Sequence, residues 1–412
     1  MNGEQLYGFK RLKATMEMSS HPVLKALSIR KKLGLNYIAR ENKLTRLGNK
    51  IYSNTFTPHY PSKAYDRFLE GAVETAAGNP RPVITNFAVT ARCICNCWHC
   101  SFSNRDLADS MTLTDYRTQI GRVQDMGVSV IGITGGEPLL RKDLEEIIAC
   151  IDDRSIPLLF TTGHGINRAR VKELKDAGLE IPVLSLDHYT KEHHDKGRGR
   201  EGVFDQTVKA IEMFMEEGFY TAVSFVPTKA LVDDEKDLFK TLDFFKSLGI
   251  NDMRLTSPIL SGQLVTRAEE KLSPDNIKTI FKFRKKAKKK KGYPNVFAYD
   301  FFESKQYYGC GAGYNYMFID SEGHVSPCDF TMLSFGNIKE KPVSEIWQEM
   351  SSHFKGPSCS CYANVIHDSV AALGSDKWPV PPETSKKILQ KHPPYNKFEI
   401  PRYYRKMKFG KS

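Results

Sequence analysis

The 412-residue sequence predicts an α/β fold, a partial (β/α)6 TIM-like barrel with a helical N-terminal extension and a small cysteine-bearing C-terminal extension. Three observations predict it. Apolar, β-branched runs recur regularly from residue 83 to residue 258. Amphipathic stretches with helical spacing lie between them, several closed by Gly, a common helix stop. Six such units in about 175 residues fall short of the eight that close a full barrel.

The runs read in order VITNFAVT (83–90), VSVIGITG (128–135), IPLLFTTG (156–163), IPVLSLDH (181–188), YTAVSFVPT (220–228) and NDMRLTSP (251–258). Continuously apolar strands alternating with helices imply parallel βαβ units. Function in such folds sits where strands run into the following helices. The barrel is expected over residues 81–292, where the run KFRKKAKKKKG closes the sixth helix. Residues 1–80 form a basic, mainly helical extension with little strand pattern. Residues 293–365 form the second unit, where MFID, a turn at SEG and HVSPC predict a hairpin, and VSEIWQEM a short helix. Residues 366–412, with PVPPE and HPPY, read as an extended, Pro-rich, basic tail.

Composition narrows the function classes. No run of about 18 apolar residues predicts a membrane span, and MNGEQLYGFKRLK lacks a signal-peptide core. A cytoplasmic protein is the expectation. The net charge of +12 resides in the chain ends: residues 1–50 hold eleven Lys or Arg against three Glu, and residues 386–412 nine against one. Amphipathic helices with a basic face over residues 20–50 would suit an anionic membrane surface, or simply a solvated cap. No recognition module accompanies the charge, so nucleic acid is not expected as a partner.

The nine cysteines carry the chemistry. An odd count without an export signal argues against a disulfide framework and for metal or redox work. RCICNCWHC (92–100) follows the first strand. Cys97 and Cys100 alone have the knuckle spacing of zinc sites. Cys93, Cys97 and Cys100, spaced C-x3-C-x2-C, can hold three irons of a cubane and leave the fourth open for a ligand. Cys95 falls out of that register and reads as a small loop residue. Cys150, in IIAC, reads as core.

With ITGGEPLLR (133–141) after the second strand, the loop resembles the hallmark of the radical S-adenosylmethionine (SAM) superfamily. SLDHYTKEHHDKGRGREGVFD (185–205), after the fourth, is similar to a segment of that superfamily's peptide- and cofactor-maturing members. The resemblance spans roughly residues 83–260. It implies a SAM-binding [4Fe–4S] cluster on Cys93, Cys97 and Cys100. It places the methionine amino group at Gly135, Gly136, Glu137 and Pro138, the ribose at Ser185 and Asp187, and the methionine carboxylate at Arg198. Glu137 can accept from an ammonium group, and a guanidinium fork suits a carboxylate. The implied reaction is reductive cleavage of SAM to a 5′-deoxyadenosyl radical that abstracts hydrogen from an unactivated C–H bond. A reductant such as ferredoxin or flavodoxin is the implied partner. Two departures stand out. His99 occupies a place usually Tyr or Phe beside the adenine, next to Trp98. His188 stands where relatives have Gly, and would touch substrate or fill space.

Cys310, twelve residues, Gly323, four residues and Cys328 resemble the start of SPASM and Twitch iron–sulfur extensions. With Cys359 and Cys361 they would hold one auxiliary [4Fe–4S] cluster; structural zinc on the same thiols is the rival. Tyr299, Asp300, Glu303, Tyr314 and Tyr316 precede or enter this unit as candidate cavity residues. No catalytic acid or base is identified. The basic ends motivate a membrane lipid or isoprenoid substrate. The alternatives are a SPASM-type peptide, protein or cofactor-precursor maturase, and a non-catalytic electron-transfer protein. The scarcity of strand pattern in residues 1–80 counts against the β-winged module that peptide maturases often carry there.

Overall fold

The computed structural model describes residues 3–19, 40–375 and 377–407. The strands among them are β1 (Glu4–Leu6), β2 (Leu44–Leu47), β3 (Lys50–Tyr52), β4 (Ile84–Thr90), β5 (Val130–Gly135), β6 (Ile156–Thr161), β7 (Ile181–Ser185), β8 (Ala222–Phe225), β9 (Asp252–Leu255), β10 (Asn295–Ala298), β11 (Tyr316–Ile319) and β12 (Val325–Ser326). The last nine make one sheet in the order β10-β9-β8-β7-β6-β5-β4-β11-β12. All its neighbours pair in parallel except β11 and β12, which form the expected hairpin. The six expected strands are β4 to β9. The sheet gains β10 beside β9 and β11 beside β4, and β10 and β12 are left as its edges. The second unit therefore continues the barrel sheet at both ends.

Helices cover the outer face. Thr112 starts the helix Leu113–Asp125 with a capping box, its hydroxyl accepting from Asp115 N–H while Asp115 accepts from Thr112 N–H. Ser273 and Asn276 do the same for Pro274–Lys289. Val203–Glu216 buries Ala210, Ile211 and Phe214 against the sheet. These side chains and the outward residues Ile131, Leu159, Leu184, Val223, Met253 and Leu255 form one continuous core.

The described part of the N-terminal extension has more helix than strand, but it also holds strands that its sequence pattern did not show. They form a three-stranded antiparallel sheet, β1-β2-β3, beside the helices Gly8–Ser19 and Lys63–Ala77. The extension plugs the N-terminal mouth of the barrel. Tyr52 stacks on Tyr220 at 4.4 Å, and Lys50 pairs with Glu180 at 2.7 Å. Asp252, at the start of β9, accepts from Thr55 N–H at 2.7 Å and Thr55 Oγ1 at 2.6 Å. Residues 20–39, most of the expected basic amphipathic segment, lie outside the described residues. No helix among the described residues is long and apolar enough to cross a membrane.

The tail is not extended. It folds into the helices Pro382–Lys391 and Arg402–Met407, after Tyr362–Ala371. Tyr403, Tyr404 and Met407 are buried in the main core. Proline at the first turn of a helix costs no hydrogen bond, so Pro381-Pro382 starts a helix rather than preventing one.

Candidate active site

The loop after β4 is held by backbone contacts on two sides. On one side the turn after β5 leans on it, Gly136 N–H donating to Thr90 O and Glu137 N–H to Arg92 O, both at 2.8 Å. A Cβ on Gly136 would lie 2.1 Å from Arg92 O. This glycine therefore serves the approach of two protein segments, not only the approach of a ligand. On the other side stands the end of the helix Lys191–Arg198. Asn96 N–H donates to Arg198 O at 3.0 Å and Trp98 N–H to Gly197 O at 3.1 Å. Gly199 has φ +63°, and a Cβ there would meet Asn96 O at 2.5 Å. Asp109, unremarked in the sequence, ties the loop's start by accepting from Thr90 Oγ1 at 2.6 Å and Ala91 N–H at 2.7 Å. Gln263 N–H closes the loop's end on Cys100 O at 2.9 Å.

So held, Cys93, Cys97 and Cys100 line one cavity of about 400 Å³ that runs from the C-terminal ends of the strands through the barrel to the N-terminal extension. His99, Gly135, Gly136, Glu137, Ser185 and Arg198 line it too. Pro138 is buried behind them at the start of a 3-10 turn. Cys95 does not reach the cavity; its backbone N–H donates to Cys93 Sγ at 3.4 Å. The neighbouring Cys95 thiol, and then the Arg198 guanidinium, pull the Cys97 thiol down to about 6 despite burial.

The third segment builds an ion pair rather than two separate contacts. Arg198 Nη2 lies 2.6 Å from Asp187 Oδ2, and Arg198 Nη1 donates to Cys97 Sγ at 3.6 Å. Burial alone would raise the Asp187 carboxyl; Arg198 and then His99 hold it below the usual carboxylate range. Its other oxygen accepts from Val226 N–H at 2.9 Å. Asp187 is thus committed to the protein and stays behind the cavity wall. Arg198 Nε is buried without a hydrogen-bond partner. Glu137 is equally committed: it accepts from Leu139 N–H, Thr162 N–H and the hydroxyls of Thr161 and Thr162. Four donors fill the lone pairs of one carboxylate, so the side chain latches β5 to β6. His99 packs edge-on against Trp98 at 5.2 Å, and burial lowers its imidazole to about 4. His188 stacks on His193 at 4.5 Å, away from the cavity. Cys150 caps a helix, its thiol donating to Glu146 O.

Cys310, Cys328 and Cys361 line the same cavity. Burial raises all three thiols, Cys361 to about 12, and Cys310 and Cys361 act on Cys328. Cys359 does not join them; its thiol donates to Glu399 O at 3.3 Å. Three of the four expected thiols therefore line this cavity, but among the described residues no three His, Cys, Asp or Glu side chains converge closely enough to hold one metal ion. Tyr299, Glu303 and Tyr316 also face the cavity, whereas Asp300 accepts from Ser257 and Tyr314 donates to Thr75 O. Phe56, Tyr403 and Tyr404, from the N-terminal plug and the tail, complete the wall.

The residues present fit an iron–sulfur cluster with SAM. Three cavity thiols, one already acidified beside a fixed cation, suit thiolate ligation. The unpartnered Arg198 Nε suits a carboxylate.

The radical SAM superfamily pattern matches residues 87–245, and that of an iron–sulfur cluster-binding domain, SPASM, matches residues 310–362. The chain is similar to the AdoMet-dependent heme synthase of Methanosarcina barkeri, 26% identical over 293 residues, covering 65% of this chain and 82% of that protein. It is similar to AlbA, the antilisterial bacteriocin subtilosin biosynthesis protein of Bacillus subtilis, at 26% over 317 residues, covering 70% and 67%. Its fold resembles that of Streptococcus suis SuiB bound to S-adenosylmethionine, with TM-score 0.59 and 19% identity over 72% of this chain and 76% of that one.

Proposed function

The chain belongs to the radical SAM superfamily and is an enzyme, and we propose that it matures a peptide or cofactor precursor by hydrogen abstraction from an unactivated C–H bond. The observation that carries this reading is the single cavity onto which both cysteine sets open. Cys93, Cys97 and Cys100 would hold the SAM-binding [4Fe–4S] cluster, and Cys310, Cys328 and Cys361 an auxiliary one. When bound, the first cluster and SAM supply the electron and the homolysis that yield a 5′-deoxyadenosyl radical.

The chain's own residues supply position. Arg198 offers its free Nε to the methionine carboxylate, and Asp187 fixes the guanidinium from behind. The edge Gly135-Gly136-Glu137-Pro138 receives the amino group through its backbone, since the Glu137 side chain is occupied. Ser185 faces the ribose, and the neutral His99 ring flanks the adenine. The apolar wall excludes water from the radical. A ferredoxin- or flavodoxin-type donor supplies the electron.

The heme synthase relative favours a cofactor precursor as substrate. A peptide is the second reading, favoured by the three-stranded sheet in the N-terminal extension, which removes the objection raised by its strand-poor sequence. The basic segment that motivated a lipid substrate lies mostly outside the described residues, and the relatives do not favour that choice. The test is anaerobic incubation of reconstituted, reduced protein with SAM, read as 5′-deoxyadenosine by chromatography. Its formation supports the reading; its absence with both clusters intact overturns it. Adding an iron porphyrin carboxylate or a candidate precursor peptide then separates the substrates by which one changes mass.

A further inference from the structure

We propose that Arg254 is the anchor for a carboxylate on the substrate, held in an aromatic cage on the wall of the cavity that both cysteine sets line. The inference rests on the reading that this cavity receives the substrate. Arg254 is the third residue of β9. Period-two alternation sends Met253 and Leu255 outward into the core, and Asp252 and Arg254 into the barrel. The guanidinium carbon lies 4.4 Å from the Phe56 ring centroid, 4.6 Å from Phe160 and 5.3 Å from Tyr299. Arg254 is only 7% exposed, yet it lines the cavity.

Asp252, Asp329 and Glu303 lie near enough to feel its charge, but none pairs with it directly. Among the described residues no carboxylate lies within ion-pair distance of it. Its one side-chain bond is donation from Nη2 to the Tyr299 hydroxyl, and Nε is buried with no partner. Of the nearby acids, Asp252 and Asp329 are engaged elsewhere, while Glu303 shares the cavity and is pushed up to about 8 by burial, which favours its uncharged form at neutral pH. Asp252 accepts from Thr55 and Asn295, and Asp329 from Tyr316 and Asn86. Aromatic faces stabilise a buried cation but leave its in-plane N–H donors unmet. A guanidinium in this state is matched by a planar anion that accepts from the fork, and a carboxylate has that geometry. Rings on two sides of the fork also favour a carboxylate borne on an apolar or aromatic body.

The probe is 3-phenylpropionate, with 3-phenylpropanamide as its uncharged isostere, titrated by calorimetry into reconstituted holoprotein without SAM or reductant. The acid is expected to bind on the order of 10- to 100-fold more tightly than the amide. Arg254→Met should abolish that preference, and Arg254→Lys should keep part of it. Mapping of phenylglyoxal labelling on the wild-type protein gives a second readout that needs no variant: the acid, not the amide, should protect Arg254. No saturable binding of the acid, equal binding of acid and amide, or an undiminished preference in Arg254→Met would each overturn the proposal. Because neither SAM nor reductant is present, failure here leaves SAM cleavage standing, and absence of 5′-deoxyadenosine leaves this result standing.

Discussion

Gly136→Ala puts the backbone clamp on the cysteine loop to a quantitative test. The added Cβ would lie 2.1 Å from Arg92 O, 2.5 Å from Arg92 C and 2.8 Å from Ala91 O. Ordinary contact begins near 3.4 Å, so the segments must part by about 1 Å or more. The obstructing atoms are backbone and cannot swing aside. Parting them strains or breaks the bonds from Gly136 N–H to Thr90 O and from Glu137 N–H to Arg92 O. Overpacking costs about 1–3 kcal/mol, and each lost backbone bond about 1 kcal/mol. The expected loss is therefore about 3–5 kcal/mol, with displacement of Cys93. Anaerobic urea unfolding measures the first effect, and iron content after reconstitution the second. Gly121→Ala is the control: nothing lies within 4 Å of its Cβ, it sits inside the helix Leu113–Asp125, and it should gain up to about 1 kcal/mol. A Gly136→Ala protein that loses under about 1 kcal/mol and binds iron like the wild type would refute the reasoning.

Three further outcomes are expected. Cys359→Ser should keep the auxiliary iron and its electron paramagnetic resonance signal, whereas Cys361→Ser should lose both, because only Cys361 faces the cavity. Asp187→Asn should cost about 3–5 kcal/mol in urea unfolding by leaving Arg198 buried without its counter-charge, and a double-mutant cycle with Arg198→Gln should return a large coupling. Burial raises the Asp252 carboxyl from 3.8 to about 6. Between those values the folded state holds more protons than the unfolded one, so stability should fall as pH rises, by up to about 3 kcal/mol. Asp252→Asn should flatten that slope in thermal melts recorded from pH 4 to 7.

The barrel was legible because its strands are continuously apolar and bounded by turn residues, a pattern that survives without tertiary context. β1, β2 and β3 were not. EQL, LTRL and KIY are too short and too polar to show alternation, and β1 pairs with β2 across some forty residues of chain. The tail misled because its prolines read as breakers, while Pro381-Pro382 in fact precede ETSKKILQK, which has helical spacing. The cysteine loop, Gly136 and Arg198 carry local motifs and could be found. Their detailed jobs could not, since Glu137 and Asp187 turn inward to Thr161, Thr162 and Arg198 from strands far apart in sequence. Cys359 and Cys361 are one residue apart, and nothing in CSC says which thiol faces inward. Arg254 did leave a trace: a charged residue alternating with Met and Leu in a buried strand points to the inner face.

The ladder between β4 and β11 bears on how such enzymes can be recombined. Tyr316 to Ile319 pair in parallel with Ile84 to Phe87, the strand that leads into the first cysteine loop. The C-terminal unit is thus stitched to the barrel at its most sensitive seam. A chimera that exchanged the unit at residue 292 would carry away β10 and β11 and leave β4 and β9 as raw edges, open to pairing with other chains. Grafts should instead keep β10, β11 and the Arg402–Met407 helix native and vary only what lies between Val325 and Cys361. The same stitching ties the spacing of the two cysteine sets to a hydrogen-bonded strand pair, so new substrates must be accommodated by the side-chain lining rather than by widening the gap.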